Sequence, residues 1–161
     1  MQKITPCLWF DTQAEEAANF YASIFKNSKV KNVTRYDEAS AAVSGQPAGS
    51  ALTVAFELEG QEFIGLNGGP VFTFSEAVSF SIDCKDQEEV DYFWEKLSEG
   101  GSESQCGWLK DKFGLSWQVV PSVLPKLLGD TDAVKAKRVV EAMLKMKKIV
   151  VKDLEDAYNQ N

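Results

Sequence analysis

The chain has 161 residues, of which 44% are hydrophobic and 11% aromatic, so it can bury a core as one compact unit or as two small modules. Its net charge of −7 argues against a nucleic-acid partner, because nucleic-acid binding needs clustered cations. It contains no histidine, which excludes imidazole acid-base catalysis, Ser-His and Cys-His nucleophile pairs, and imidazole metal ligation.

The amino terminus and the cysteines indicate the compartment. The first ten residues, MQKITPCLWF, lack the long apolar stretch of a signal peptide or a membrane span. Cys7, Cys84 and Cys106 form no CxxC pair, and an odd number of cysteines fits reduced thiols better than a disulfide framework. We therefore expect a cytoplasmic protein with no membrane partner.

The first half of the chain predicts the element order β-α-β-β-β. In chain order we expect a strand at 4–10, a helix at 14–25, and strands at 29–37, 51–59 and 61–67. Asp11 or Thr12 is expected to cap the helix. The Ser/Ala/Gly-rich segment 38–50 is expected to be a loop, and Gly60 to lie in a hairpin turn.

The second half repeats this order. A strand is expected at 77–84, followed by a helix that Asp86 caps and that ends at a Gly-Gly pair. Three short strands then lead to Pro121, and within them the segment CGWLKDKFGLSWQVVP predicts two strands joined by a turn at Gly114. The segments EEAANFY at 15–21 and EEVDYFW at 88–94 match, which favours an internal duplication.

The predicted fold class is α+β: two tandem β-α-β-β-β modules form curled mixed sheets around a cleft, followed by a helical tail. We place the first module at 1–70, the second at 71–121 and the helical extension at 122–161, together one compact unit. The tail is helical by its apolar spacing.

Several stretches, among them TPCLWFD, FIGLNGGP, SFSIDCKDQEEVDYFW and, in the tail, AMLKMKK, resemble the PhnB-like branch of the vicinal oxygen chelate superfamily. The resemblance covers nearly the whole chain, including the tail. That superfamily includes glyoxalase I, bleomycin-resistance proteins and extradiol dioxygenases, and this branch is often labelled demethylubiquinone methyltransferase. The glycines of GLNGGP do not precede a helix in a βαβ unit, so they predict a turn between modules and not a methyl-donor site.

In metal-using relatives each module supplies one ligand from its first strand and one from its last. By this resemblance the four ligand positions fall at Thr5, Gly65, Ser79 and Gln118. A hydroxyl, an amide and a glycine cannot hold a divalent transition metal without charged partners. We therefore expect no metal and no other cofactor.

Strand alternation predicts which side chains face the cleft. The expected ligand-binding set, an apolar floor with a few hydrogen-bonding groups, consists of Thr5, Trp9, Phe63, Asn67, Ser79, Ser81 and Gln118. The first hypothesis is a metal-independent protein that binds an unidentified small molecule, as bleomycin-resistance proteins do, and forms a homodimer.

Two alternatives remain open. A metal-independent enzyme could act on a small carbonyl or quinone-like substrate, with Asp83 as the acid-base group or, more weakly, Cys7 as a nucleophile. Alternatively, side chains could fill the cleft, and the protein would then serve as a structural or interaction dimer.

Overall fold

The computed structural model describes residues 1–160, which form eight strands and six helices. They divide into two compact units, the first comprising Met1–Phe74 and the second beginning at Ser75. The module boundaries expected after residues 70 and 121 stay predictions. Among the described residues, no helix is both long and apolar enough to cross a membrane.

The two units share one strand order, and this confirms the α+β class and the tandem arrangement. The first unit contains β1 (Cys7–Phe10), α1 (Ala14–Ile24), β2 (Lys29–Arg35), α2 (Glu38–Ser44), β3 (Ala51–Leu58) and β4 (Gln61–Asn67). The second contains β5 (Ser79–Cys84), α3 (Gln87–Ser98), β6 (Ser102–Glu103), β7 (Trp108–Lys110), β8 (Ser116–Pro121), α4 (Val123–Leu128), α5 (Ala133–Met143) and α6 (Val151–Asn159). The sheet orders are β1-β4-β3-β2 and β5-β8-β7-β6, with the outer pairs β1–β4 and β5–β8 parallel.

Helix α2 corrects the expectation of a loop over 38–50. Asp37 accepts a hydrogen bond from the Ser40 amide at 2.7 Å, and the Ser40 hydroxyl accepts one from the Asp37 amide at 3.0 Å, which forms a capping box. Gly45 ends the helix in the left-handed conformation with φ of 76°. These local bonds stabilise a helix that buries none of its side chains.

The cap of α1 also differs from the expectation. Helix α1 starts at Ala14, after Gln13, and neither Asp11 nor Thr12 caps it. Instead, the side-chain oxygen of Asn67, at the end of β4, accepts a hydrogen bond from the Ala14 amide at 2.8 Å. Helix α1 is therefore capped by a residue 53 positions away in sequence.

Strand register places helix α1 on one face of the first sheet. Leu8 pairs with Gly65 and Phe10 with Asn67 across the parallel β1–β4 ladder, so these side chains point to the same side. The side of Leu8 and Phe10 is buried against α1. A Cβ atom at Gly65 would lie 3.1 Å from the Cβ of Ala14, which shows how closely the helix approaches β4.

The second sheet follows the same plan, with α3 on the face of Val119 and Leu109. Asp86 caps α3 by accepting a hydrogen bond from the Glu89 amide at 3.0 Å, as the sequence predicts. The expected hairpin is also confirmed, with β7 antiparallel to β8 and Gly114 in the left-handed region at φ of 87°.

Asp111 holds the turn between β7 and β8 together. Its side chain is 2% exposed and accepts hydrogen bonds from the amides of Phe113 at 2.9 Å and Leu115 at 3.1 Å. Its second oxygen accepts one from the indole N–H of Trp117, also at 2.9 Å. One carboxylate therefore satisfies three donors, two of them buried.

The tail is helical, as its apolar spacing predicts, and its three helices share an apolar core against which Val120 of β8 also packs. This core contains Leu124, Val139, Ile149 and Leu154, with Met143 and Met146 packed against it. The expected helical extension is thus a folded part of the second unit.

Replacing Asp111 should destabilise the second unit more than replacing an exposed carboxylate. Asp111→Ala removes the carboxylate to which the Leu115 amide and the Trp117 indole donate, so we expect the free energy of unfolding to fall by about 2–4 kcal/mol. Urea denaturation followed by tryptophan fluorescence measures the change. Asp153→Ala, at an exposed position on α6, is the control and should change stability by less than about 0.5 kcal/mol; equal effects would show that the Asp111 bonds do not stabilise the turn.

Candidate functional site

Each sheet has one face on the side away from α1 or α3, and we call these the far faces. On the first sheet this face carries Cys7, Trp9, Thr53, Ala55, Ile64 and Leu66. On the second sheet it carries Ser79, Ser81, Asp83, Trp108, Lys110, Ser116 and Gln118. At the end of β8, Val120 on the far face of the second sheet packs against the tail helices. Thr5 precedes β1, and alternation along the chain places it on the same side as Cys7 and Trp9.

The register corrects the expected face of three residues on β4. Phe63, Gly65 and Asn67 lie on the helix-covered side, opposite Trp9. Phe63 is 6% exposed and stacks on Phe56 with ring centroids 5.4 Å apart. Besides capping α1, the Asn67 side chain donates a hydrogen bond to the carbonyl of Ala51 at 3.1 Å. Both ends of this side chain therefore bind backbone groups inside the first unit.

Trp9 is held by the glycine segment that follows β4. Its indole N–H donates to the carbonyl oxygen of Gly69 at 2.9 Å, and its ring meets Phe72 edge to face at 4.9 Å. A Cβ atom at Gly68 would lie 2.2 Å from the Trp9 ring, so only glycine fits there. The glycines of GLNGGP therefore have a packing role beside Trp9.

The residues at the four superfamily ligand positions do not fit a divalent metal. Gly65 has no donor and faces α1. In the second unit the Gln118 amide donates to the Ser79 hydroxyl at 3.0 Å, so these two neutral side chains bind each other. Within residues 1–160 no group of three or more Cys, Asp or Glu side chains is placed to hold a metal ion.

Asp83 and Ser81 are exposed on the second sheet. The hydroxyl of Ser122, just after β8, donates to the Asp83 carboxylate at 2.6 Å. This bond fixes the carboxylate at the end of β5. The acid-base role of Asp83 stays a prediction, as do the ligand-binding roles of Thr5, Trp9, Ser79, Ser81 and Gln118.

A pocket of about 230 Å³ lies beside this face of the second unit. Its lining includes Glu76, Ser102, Glu103, Trp108, Lys110 and Ser116. Lys110 forms an ion pair with Glu76, and Glu103 accepts a hydrogen bond from the indole of Trp94 at 3.0 Å. The pocket thus combines an aromatic ring, hydroxyl groups and a paired charge.

Ser116 is the unusual member of this pocket. It is 1% exposed, and its hydroxyl has no hydrogen-bond partner among residues 1–160. Sequence reasoning did not select Ser116, Lys110 or Glu76 as site residues. The alternation of side chains along SWQVVP could have identified Ser116, because it puts Ser116 on the same face as Gln118.

The thiols are poorly suited to nucleophilic chemistry. Burial raises the pKa of Cys84 to about 12, and the charges of Glu89 and Asp83 act in the same direction. The Cys7 residue is exposed, yet partial burial of the thiol itself raises its pKa as well. Both shifts reduce the thiolate fraction at neutral pH, which opposes the expected role of Cys7 as a nucleophile.

Alkylation should therefore be slow at these two cysteines. With iodoacetamide at pH 8, we expect Cys84 in the native protein to react at least about 100-fold more slowly than in urea. Cys7 should react more slowly than free cysteine, because its raised pKa leaves less thiolate. Peptide mass spectrometry over time measures each site, and faster labelling of Cys7 than of free cysteine would contradict this account.

Comparisons with known proteins show the family and the fold of this chain. Residues 2–120 match the sequence model of the 3-demethylubiquinone-9 3-methyltransferase family. The PhnB protein from Bacillus cereus is 36% identical, with 74% of this chain and 99% of that chain covered and a TM-score of 0.66. The comparison with curated proteins gives no match.

Two more distant structures share the fold alone. Protein PA1353 from Pseudomonas aeruginosa is 18% identical over 75% of this chain and 98% of that chain, with a TM-score of 0.59. The fosfomycin resistance protein FosX from Listeria monocytogenes is 14% identical over 80% of this chain and 98% of that chain, with a TM-score of 0.55. The chain belongs to the 3-demethylubiquinone-9 3-methyltransferase family, a PhnB-like family with the vicinal oxygen chelate fold.

Proposed function

We propose that this chain is a metal-independent binding protein for a small, flat, neutral organic molecule, which it holds in the pocket beside the second sheet. The observation that carries the proposal is the buried Ser116 hydroxyl in the pocket lining, which has no partner among residues 1–160. A buried hydroxyl without a partner costs free energy, and a ligand with a complementary polar atom would recover it.

Trp108 supplies the second recognition group. The indole N–H groups of Trp9, Trp94 and Trp117 all donate to acceptors within the chain. For Trp108 there is no such acceptor in the described part of the chain. Its ring offers a flat apolar surface to an aromatic ligand, and its N–H remains available to a ligand oxygen.

The charges of the pocket favour a neutral ligand. Glu76 and Glu103 carry two negative charges, whereas Lys110 supplies one positive charge that its ion pair with Glu76 already engages. An anionic ligand would have to separate this pair and approach Glu103. The volume of about 230 Å³ lies below the usual range for drug-sized ligands, which limits the ligand to about one ring.

Hydrogen bonding replaces metal coordination in this proposal. Ser79 and Gln118 lie on the same face as Ser116 and bind each other. We extend the proposal to Ser79, Gln118 and Ser81, as further polar contacts on the far face of the second sheet. For the first unit we propose separately that Thr5 and Trp9 on its far face contact a ligand. Methyl transfer is not part of it, because packing of Trp9 accounts for Gly68 and Gly69.

The odd number of cysteines without a CxxC pair supports a cytoplasmic location, and the resemblance to bleomycin-resistance proteins supports a dimer. We propose that the protein is cytoplasmic and acts as a homodimer. Light scattering coupled to size exclusion tests the dimer, which predicts twice the mass of the 17.8 kDa chain.

Benzamide and benzoate form a matched pair of probes for the pocket, since they have similar shape and differ in charge. We expect saturable 1:1 binding of benzamide by isothermal titration or ligand-observed NMR, and weaker binding of benzoate. Adding EDTA should leave the dissociation constant for benzamide unchanged. Tighter binding of benzoate, or loss of benzamide binding with EDTA, would contradict the proposal.

Ser116→Ala separates the ligand role of this hydroxyl from any structural role. Loss of one hydrogen bond should raise the dissociation constant for benzamide about 5- to 10-fold. The free energy of unfolding should stay equal or rise, because the variant removes an unpartnered polar group. Ser44→Ala, at an exposed position in the first unit, is the control and should bind benzamide normally; unchanged binding by Ser116→Ala would remove Ser116 from the site.

A further inference from the structure

We infer that the helical extension after β8 is a positioning element: it holds the turn before β7 and thereby sets the place of Trp108 in the pocket. The consequence for ligand affinity rests on the proposed function. The positioning itself can be measured without any ligand.

The part of the chain that matches the family model ends before the extension. The family match ends at residue 120, whereas α4, α5 and α6 begin at Val123 and end at Asn159. The B. cereus PhnB protein is covered over 99% of its length by only 74% of this chain. About a quarter of this chain therefore lies outside the alignment with that relative.

Two backbone hydrogen bonds join the extension to the turn. The amide of Cys106 donates to the carbonyl oxygen of Met146 at 2.8 Å. The amide of Gly107 donates to the carbonyl oxygen of Lys147, also at 2.8 Å. Trp108 is the next residue along the chain, and its carbonyl accepts a hydrogen bond from the amide of Ser104 at 2.9 Å. The position of Trp108 therefore depends on a turn whose outer partners lie in the extension.

The backbone of this turn needs such partners. Cys106 has φ of 58° and Gly107 has φ of 82°, so two successive residues are in the left-handed region. This region is unfavourable for a residue with a Cβ atom such as Cys106. A Cβ atom at Gly107 would lie 2.9 Å from the carbonyl oxygen of Val119 and 3.1 Å from Cγ1 of Ile149, so the turn fits closely between β8 and the extension.

A separate contact fixes the extension at the start of α3, away from the pocket lining. The side chain of Gln87 accepts a hydrogen bond from the Val151 amide at 2.7 Å and donates one to the carbonyl of Ile149 at 3.0 Å. Lys148 forms an ion pair with Asp91 at 2.8 Å. Gln87 therefore offers a way to loosen the extension without changing any residue of the turn or the pocket.

The experiment compares the full-length chain with its Gln87→Ala variant by amide hydrogen exchange. We expect the Val151, Cys106 and Gly107 amides to exchange about tenfold faster in the variant, since each depends on the placed extension. Amides of the β5–β8 ladder should change less than twofold. Glu88→Ala, an exposed neighbour on α3, is the control and should leave all these rates unchanged.

Binding of benzamide gives the second measurement. Gln87→Ala should raise the dissociation constant severalfold, although Gln87 does not line the pocket. If benzamide does not bind the unmodified protein, the proposed function fails, but the exchange rates of Cys106 and Gly107 still decide the positioning role.

Two results would overturn the inference. One is faster exchange at Leu154, inside α6, with unchanged exchange at Cys106 and Gly107, which would show that the turn keeps its shape when the extension loosens. The other is unchanged exchange at Cys106 and Gly107 in the Gln87→Ala/Lys148→Ala double variant, which would show that the contacts of the extension with α3 do not act on the turn. Should Gln87→Ala fail to fold, Lys148→Ala removes only the ion pair to Asp91 and should give a smaller change in the same direction.

Discussion

The packing of α1 and α3 on one face of their sheets is the constraint on which the rest of the structure depends. In the first unit α1 approaches β4 so closely that a Cβ atom at Gly65 would lie 3.1 Å from that of Ala14. The helix thus occupies the side on which Gly65 lies, and strand alternation leaves Trp9 on the opposite side. A side chain at position 65 would point toward α1 and away from the face of Trp9.

The sequence allowed accurate prediction of the elements, because each has a local cause. Alternation identifies the strands, Asp86 predicts the start of α3, and Gly114 predicts the turn before β8. Helix α2 was missed because its small residues carry no apolar period, and only the reciprocal bonds of Asp37 and Ser40 reveal why it forms.

The faces of β4 could not be predicted in the same way. In QEFIGLN, Phe63 lies on one side and Ile64 and Leu66 lie on the other, so hydrophobicity does not distinguish the two faces. Asn67 looks like an exposed polar group, yet it is 4% exposed because it caps α1 from across the sheet. A contact between residues 53 positions apart leaves no local signal in the sequence.

In the proposed function, neutral side chains on the second sheet recognise the ligand by hydrogen bonds. Gln118 and Ser79 are both neutral and bind each other, so neither offers a charge that would attract a cation. The unsatisfied group lies two residues earlier on β8, at Ser116, and therefore on the same face. A protein that keeps an unpartnered hydroxyl beside an aromatic ring gains more from a neutral ligand than from an ion, because the ligand pairs the hydroxyl without burying a charge.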